Sequence, residues 1–306
     1  MSTLTVFILL EAICHGDYID SLGDWPERMY YAFTVYMYSI GCSPQLSYCK
    51  PRDPGINFLN AITILTNDAY HAHPYVTHIP GIDEGFPMKL FGLKDRSCTI
   101  WSLKSNSEVI LSFPGSNNKG DWLTDFHTRQ VPLFPSGDSG LVHVGFLTYY
   151  LSLETQIMGV LRQMRLKTLI LTGHSLGGAV ATIACARLAY QLPRVKVVCM
   201  TFGSPRVGDR NFGQWYRRKV NRTYRFVMER DPAPSFPSSH KYMHVVPGII
   251  MQASPGTPIA YAPDDTLPGR MKRFSAMARR SFYITTDHLM KTYIELIASW
   301  KYIQKV

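Results

Sequence analysis

The sequence predicts an α/β fold, a central and mostly parallel sheet covered by helices on both faces, and three observations carry that expectation. Apolar, strand-like runs at 109–113, 168–171, 195–202 and 223–228 are interleaved with segments of helical period. Several of these runs are apolar along most of their length, as strands buried on both faces are. At 168–178 the chain reads Thr-Leu-Ile-Leu-Thr-Gly-His-Ser-Leu-Gly-Gly, passing from strand to glycine-flanked turn to helix with no linker.

Taken in order, an aromatic-rich helix is expected over 26–48, opened by Pro26 and broken by Pro51 and Pro54. Strands are expected at 86–93, 99–103 and 109–113. A polar loop, Ser116-Asn117-Asn118-Lys119-Gly120, follows and leads into Asp121-Trp122. A helix over about 145–164 precedes the strand at 168. The next helix carries Leu176, Val180, Ile183, Ala184, Leu188 and Leu192 at helical spacing and stops near Pro193. The strands 195–202 and 223–228 run into Gly203-Ser204-Pro205 and Glu229-Arg230-Asp231-Pro232, and a helix over about 287–301 closes the fold.

The 306 residues suit one large α/β domain, read here as 1–306 with a targeting or packing segment at 1–25 and a surface excursion at 250–282. Apolar content of 46% and charge of 18% are globular values. The net charge of +10 suits nucleic acid, an anionic membrane or an acidic substrate, but no nucleic-acid motif accompanies it. Basic residues cluster only near 270–280, where a solvated face and a headgroup-binding patch are both open readings. The six cysteines lack metal-type spacing; Cys42 and Cys49 are the only pair close in sequence, and Cys185 and Cys199 fall in a buried helix and strand. The apolar run 4–10 has no Lys or Arg before it, so a secretory signal and a buried N-terminal segment both stand, with the secretory route slightly favoured. No run reaches the roughly 18 apolar residues of a membrane span.

The glycine-flanked serine is where chemistry is expected. A sharp strand–turn–helix pushes the hydroxyl of Ser175 out of the sheet, and the helix behind it offers free N–H groups to a developing oxyanion. A neutral serine needs a base, and the base needs an acid to orient it. In the chain order of this fold both follow the serine, which leaves His240, His244 and His288 of the ten histidines. His288, at a late loop-to-helix boundary, is the expected base. Asp231, in a proline-rich loop at a strand end, is the expected acid, ahead of Asp209, Glu229, Asp264 and Asp265. The oxyanion donors are expected at the N–H of Leu176 and in the loop Pro114-Gly115-Ser116, with the Ser116 hydroxyl as a further donor.

With these residues in place the chain resembles the class 3 (fungal-type triacylglycerol) lipase family over about residues 60–295. The ordered blocks are Phe113-Pro114-Gly115-Ser116, Asp121-Trp122-Leu123-Thr124-Asp125, Val142-His143-Val144-Gly145-Phe146, the stretch 173–178, Phe202-Gly203-Ser204-Pro205-Arg206-Val207-Gly208, Arg230-Asp231-Pro232 and Asp287-His288. The resemblance implies an α/β-hydrolase fold with a short lid over the active site. It also implies a Ser175, His288 and Asp231 triad, an oxyanion hole at Ser116 and Leu176, and structural roles for His143 and His244. Pro114 stands where the family usually has arginine. The family's lid position is occupied here by Asn117, Asn118, Lys119, Gly120 and Asp121, with Trp122 retained, so Asn117, Asn118, Lys119 and Trp122 are the expected lid and substrate-binding residues.

The reading is a serine esterase or lipase that hydrolyses acylglycerol esters at a membrane or micelle surface through an acyl-enzyme, without metal or organic cofactor. Phospholipase A1 and soluble-ester carboxylesterase are the alternatives on the same triad. A non-catalytic lipase-like binding protein is a third, disfavoured because no triad member is missing.

Overall fold

The computed structural model describes residues 56–74, 76, 85–103, 107–116, 129–228, 230–237, 241–251, 260–262 and 288–299. All lie in the compact unit Pro54–Val306. The helix expected over 26–48, the segment 1–25, Cys42 and Cys49, the lid residues and the basic stretch 270–280 fall outside them.

The chain order is α1 (Ile56–Asp68), β1 (Gly85–Phe91), β2 (Ser97–Leu103), β3 (Glu108–Phe113), β4 (Gln130–Pro132), β5 (Leu141–His143), α2 (Val144–Leu161), β6 (Thr168–His174), α3 (Leu176–Gln191), β7 (Lys196–Phe202), α4 (Arg210–Lys219), β8 (Arg222–Met228), β9 (Gly248–Met251), β10 (Ala260–Ala262) and α5 (Met290–Ser299). Eight strands form the main sheet in the order β1-β2-β3-β6-β7-β8-β9-β10, and β4 pairs with β5 apart from it. The inner strands from β3 to β9 are parallel. The edges are antiparallel: β1 on β2, β2 on β3, and β10 on β9. The short links 92–96 and 104–107 dictate this, because a parallel pair needs a crossover of about a dozen residues or more.

Successive side chains of a strand point to opposite faces, so each inner strand feeds two cores. Val109, Leu111, Phe113, Leu169, Leu171, Val197 and Cys199 pack with α2, α3 and α4 on one face. Ile110, Ile170, Val198, Met200 and Phe202 pack with α1 and α5 on the other. Helix α3 is buried along nearly its whole length, which its run of Ala, Val, Ile and Cys permits on every side. Its one charged residue, Arg187, pairs through Nε and Nη2 with both carboxylate oxygens of Glu154 on α2, at 2.7 and 2.9 Å.

Several elements go beyond the sequence reading, the short strands β4 and β5 among them. Helix α1 was not anticipated: its segment, Ile-Asn-Phe-Leu-Asn-Ala-Ile-Thr-Ile-Leu, has apolar residues on several faces and so lacks a clean stripe. Helix α4 was not anticipated either. Asp209, weighed as a rival acid, is its N-cap: Oδ1 accepts from the Phe212 N–H at 2.7 Å. The surface excursion at 250–282 is corrected at its start, since β9 and β10 extend the main sheet and Met251 is fully buried. Residues 252–259 and 263–282 lie outside the described ones.

Candidate active site

The parallel strands β3, β6, β7 and β8 end on one side of the sheet, where loops collect the expected groups. Ser175 follows β6 directly and opens α3 with φ 57° and ψ −127°, a region that L-residues seldom adopt and that costs about 1–3 kcal/mol. The turn is held from both sides. The Ser175 N–H donates to the Phe202 carbonyl at 2.9 Å, and the Ser175 carbonyl accepts from Gly178 N–H at 3.0 Å. A Cβ on residue 177 would overlap the Phe113 carbonyl, so glycine is required where α3 crosses the end of β3. Leu176 is the first residue of α3, and an N–H in the first helical turn has no acceptor within its helix. Ser116 lies in the half-buried loop that leaves β3.

His288 Nε2 lies 2.9 Å from Ser175 Oγ, and its Nδ1 lies 2.8 Å from Asp231 Oδ1. A carboxylate oxygen only accepts, so Nδ1 carries the proton and Nε2 faces the serine hydroxyl as an acceptor. Asp231 is fully buried, as a charge can be only when it is well hydrogen-bonded. It is: Oδ1 also accepts from the Ala233 N–H at 2.9 Å, and Oδ2 accepts from Tyr293 Oη at 2.8 Å.

Gly203 makes room for this cluster. It has φ +57°, and a Cβ there would stand 2.5 Å from Asp231 Oδ2 and 3.2 Å from His288 Nδ1. The loop carrying Asp231 is braced by basic side chains. Arg206 Nη1 donates to the carbonyls of Ser235 and Pro237 at 2.5 and 2.8 Å, and the Arg206 N–H donates to Phe236 at 2.7 Å. His244 Nε2 donates to the Pro234 carbonyl at 2.8 Å, and Arg225 Nη1 donates to Val246 at 2.9 Å. His143 caps α2, accepting from Gly145 N–H on Nδ1 at 3.1 Å.

Ser175, Asp231 and His288 thus meet in one hydrogen-bonded chain, although the last two are 57 residues apart in sequence. Asn117, Asn118, Lys119 and Trp122 lie outside the described residues, as do Glu229, His240, Asp264 and Asp265. Tyr293 and Gly203 are contributors that the sequence reading left without a role. Glycine directly after an apolar strand is a signal for Gly203, whereas nothing local marks Tyr293. Among the described residues no group of three or more His, Cys, Asp or Glu side chains is arranged to hold a metal ion.

A mostly parallel sheet with a serine on the strand–helix elbow, an acid after a later strand and a histidine just ahead of α5 defines the α/β-hydrolase fold. The family model described as Lipase (class 3) matches residues 110–241. Over those residues the chain is similar to the class 3 lipases. It is 31% identical over 156 residues to a secreted mono- and diacylglycerol lipase of Fusarium solani, covering 49% of this chain and 46% of the relative. It is 26% identical over 224 residues to a chloroplastic phospholipase A(1) of Arabidopsis thaliana, covering 62% of this chain and 49% of the relative. The chain therefore spans about half the length of the curated relatives it matches. The Rhizomucor miehei lipase–propeptide complex superposes with a TM-score of 0.57 at 22% identity, over 76% of this chain and 79% of that one, a likeness of fold.

Proposed function

We propose that this protein is a serine hydrolase that cleaves carboxylic ester bonds of acylglycerols. The observation that carries the reading is the chain Ser175 Oγ–His288–Asp231, with contacts of 2.9 and 2.8 Å in a buried setting. His288 Nε2 takes the proton of Ser175 as Oγ attacks the ester carbonyl. Asp231 holds the tautomer and offsets the charge on the imidazolium. The N–H of Leu176 and the loop at Ser116 receive the oxyanion, each such donor contributing about 3–4 kcal/mol to the transition state. His288 then gives its proton to the departing alcohol, and water, activated by the same nitrogen, releases the acid from Ser175.

Similarity to a mono- and diacylglycerol lipase supports acylglycerols as the substrate class, and the name of that relative supports a secretory route. The likeness to a phospholipase A(1) favours a second reading, hydrolysis of phospholipid on the same triad. Asn117, Asn118, Lys119 and Trp122 are the proposed lid and substrate-contacting residues, and the setting is a lipid surface. Fluorophosphonate labelling tests the chemistry: the wild type reacts covalently and Ser175→Ala does not, and labelling that persists in the alanine variant rules out Ser175 as the nucleophile. Monoacylglycerol and diacylglycerol emulsions against phospholipid vesicles separate the substrates. Faster release from the vesicles replaces the acylglycerol reading with the phospholipid one.

A further inference from the structure

The residue preceding Ser175 is hydrogen-bonded on both sides of its ring. His174 Nε2 lies 2.6 Å from the main-chain carbonyl oxygen of His288, and its Nδ1 lies 2.7 Å from Tyr70 Oη. A carbonyl oxygen cannot donate, so the His174 proton sits on Nε2 and points at His288. Nδ1 is then the acceptor, and Tyr70 donates to it. Tyr70 Oη also lies against Gly115, the residue before Ser116, where an added Cβ would stand only 2.3 Å from it.

Both members stay neutral. Burial, and then the neighbouring His288, hold the His174 pKa well below its ordinary 6.5. Burial likewise raises the Tyr70 phenol well above its ordinary 10.0. The direction of every hydrogen bond is therefore set. Tyr70 is itself held by its chain neighbours, because Lys89 Nζ donates to the carbonyls of both Ala69 and His71. Next to it, Thr66 Oγ1 on α1 meets Thr172 Oγ1 on β6 at 2.7 Å.

We propose that Tyr70 and His174 are positioning residues for ester hydrolysis, linked in a relay from the close contact at Gly115 through Tyr70 Oη and the His174 ring to the carbonyl of His288. The proposal rests on the serine-hydrolase reading above. One end of the relay orients the peptide that leads to Ser116. The other end sets the height of the main chain from which the His288 ring reaches Ser175. Neither residue touches the reacting atoms. Their effect is to keep oxyanion loop, elbow and histidine in one register, where a displacement of about 1 Å costs on the order of a hundredfold in rate.

Two measurements on the full chain test this. Nitrogen-15 NMR of labelled histidines at neutral pH reads the His174 tautomer independently of turnover. The Nε2–H form is expected, with a shifted Nδ1 resonance in Tyr70→Phe, and an Nδ1–H form overturns the relay. The second is turnover of p-nitrophenyl butyrate, a soluble ester, by Tyr70→Phe, His174→Gln and His174→Asn. In Tyr70→Phe kcat is expected to fall about tenfold with KM within about twofold, the pattern of a group that matters in the transition state alone. The Gln amide reaches the place of Nε2 and the Asn amide only that of Nδ1, so Gln should restore more of kcat than Asn at equal thermal stability. Equal kcat values for Gln and Asn, or rate losses that merely follow the melting temperature, overturn the proposal. A wild type that neither turns over the ester nor labels at Ser175 defeats the hydrolase reading and the positioning role with it. An active, labelling wild type with unaffected variants defeats the relay alone.

Discussion

Tyr293 Oη donates a 2.8 Å hydrogen bond to Asp231 Oδ2, the carboxylate oxygen that His288 leaves open. The same hydroxyl accepts the Met228 N–H at 3.0 Å, so α5 is joined to the end of β8 and to the acid that follows it. Both Asp231 and Tyr293 are fully buried. Removing the hydroxyl leaves a charged oxygen and a backbone N–H short of a partner, and hydrogen bonds to charged groups are worth about 1.5–3 kcal/mol.

Tyr293→Phe should therefore lower kcat by about tenfold and destabilise the fold by roughly 2 kcal/mol. Asp231→Asn, which disturbs the tautomer of His288 itself, should cost about ten-thousandfold in kcat. Steady-state kinetics on a soluble ester, with urea denaturation of each variant, check the pair. Equal rate losses in the two would mean that Tyr293 does more than support the carboxylate.

The elbow stores strain that can be read directly. Ser175→Ala and Ser175→Gly should both be inactive, yet the glycine variant should be the more stable by about 1–3 kcal/mol, since only glycine is at ease at φ 57° and ψ −127°. In an ordinary helix the order is reversed, by roughly 1 kcal/mol in favour of alanine. Calorimetric melting of the two variants decides the matter, and an alanine variant that melts higher argues against a strained serine.

Gly203→Ala places a methyl group against Asp231 Oδ2 and His288 Nδ1 in a left-handed backbone. The left-handed conformation alone costs alanine roughly 1–2 kcal/mol, and the displaced carboxylate adds to that. The expected result is loss of fluorophosphonate labelling by more than about a hundredfold in rate, from misplacement of the His288–Asp231 pair. A folded variant that labels at the wild-type rate would refute the close approach.

His174 makes stability depend on pH. Its imidazole is buried and neutral, with a pKa well below 6.5, whereas in the unfolded chain it takes a proton near that value. The folded state is thus favoured fully above about pH 6.5, and this contribution is lost as pH falls toward the lowered folded value, with a slope of up to about 1.4 kcal/mol per pH unit. Urea midpoints between pH 7.5 and pH 5 should fall less steeply for His174→Gln than for the wild type. Parallel curves would show that His174 does not titrate between the two states.

Much of this was readable before any coordinates. The strand at 168 and the helix after Ser175 are local, with the apolar run and the glycines standing side by side in the chain. Asp231 and His288 could be placed because each follows a recognisable strand or precedes a helix, and because chain order excludes earlier histidines. The direction of the edge strands was not read, because apolar pattern alone gives a strand no direction; the short links 92–96 and 104–107 impose it. Helix α1 was hidden by its broad apolar surface. Helix α4 was passed over, and with it the cap that accounts for Asp209.

The sequence by itself determined the serine elbow, the chain order of Ser175, Asp231 and His288, and the doubly covered sheet, because these follow from backbone sterics and from hydrophobic period within short stretches. Only the tertiary structure decided that Tyr293, Gly203, Tyr70 and His174 surround them. Tyr70 and His174 are 104 residues apart, and Asp231 and Tyr293 are 62 apart, so no local pattern records their meeting. They are brought together when both faces of the sheet are buried, and the hydrogen bonds they then make are those that a dry interior requires of every polar group it encloses.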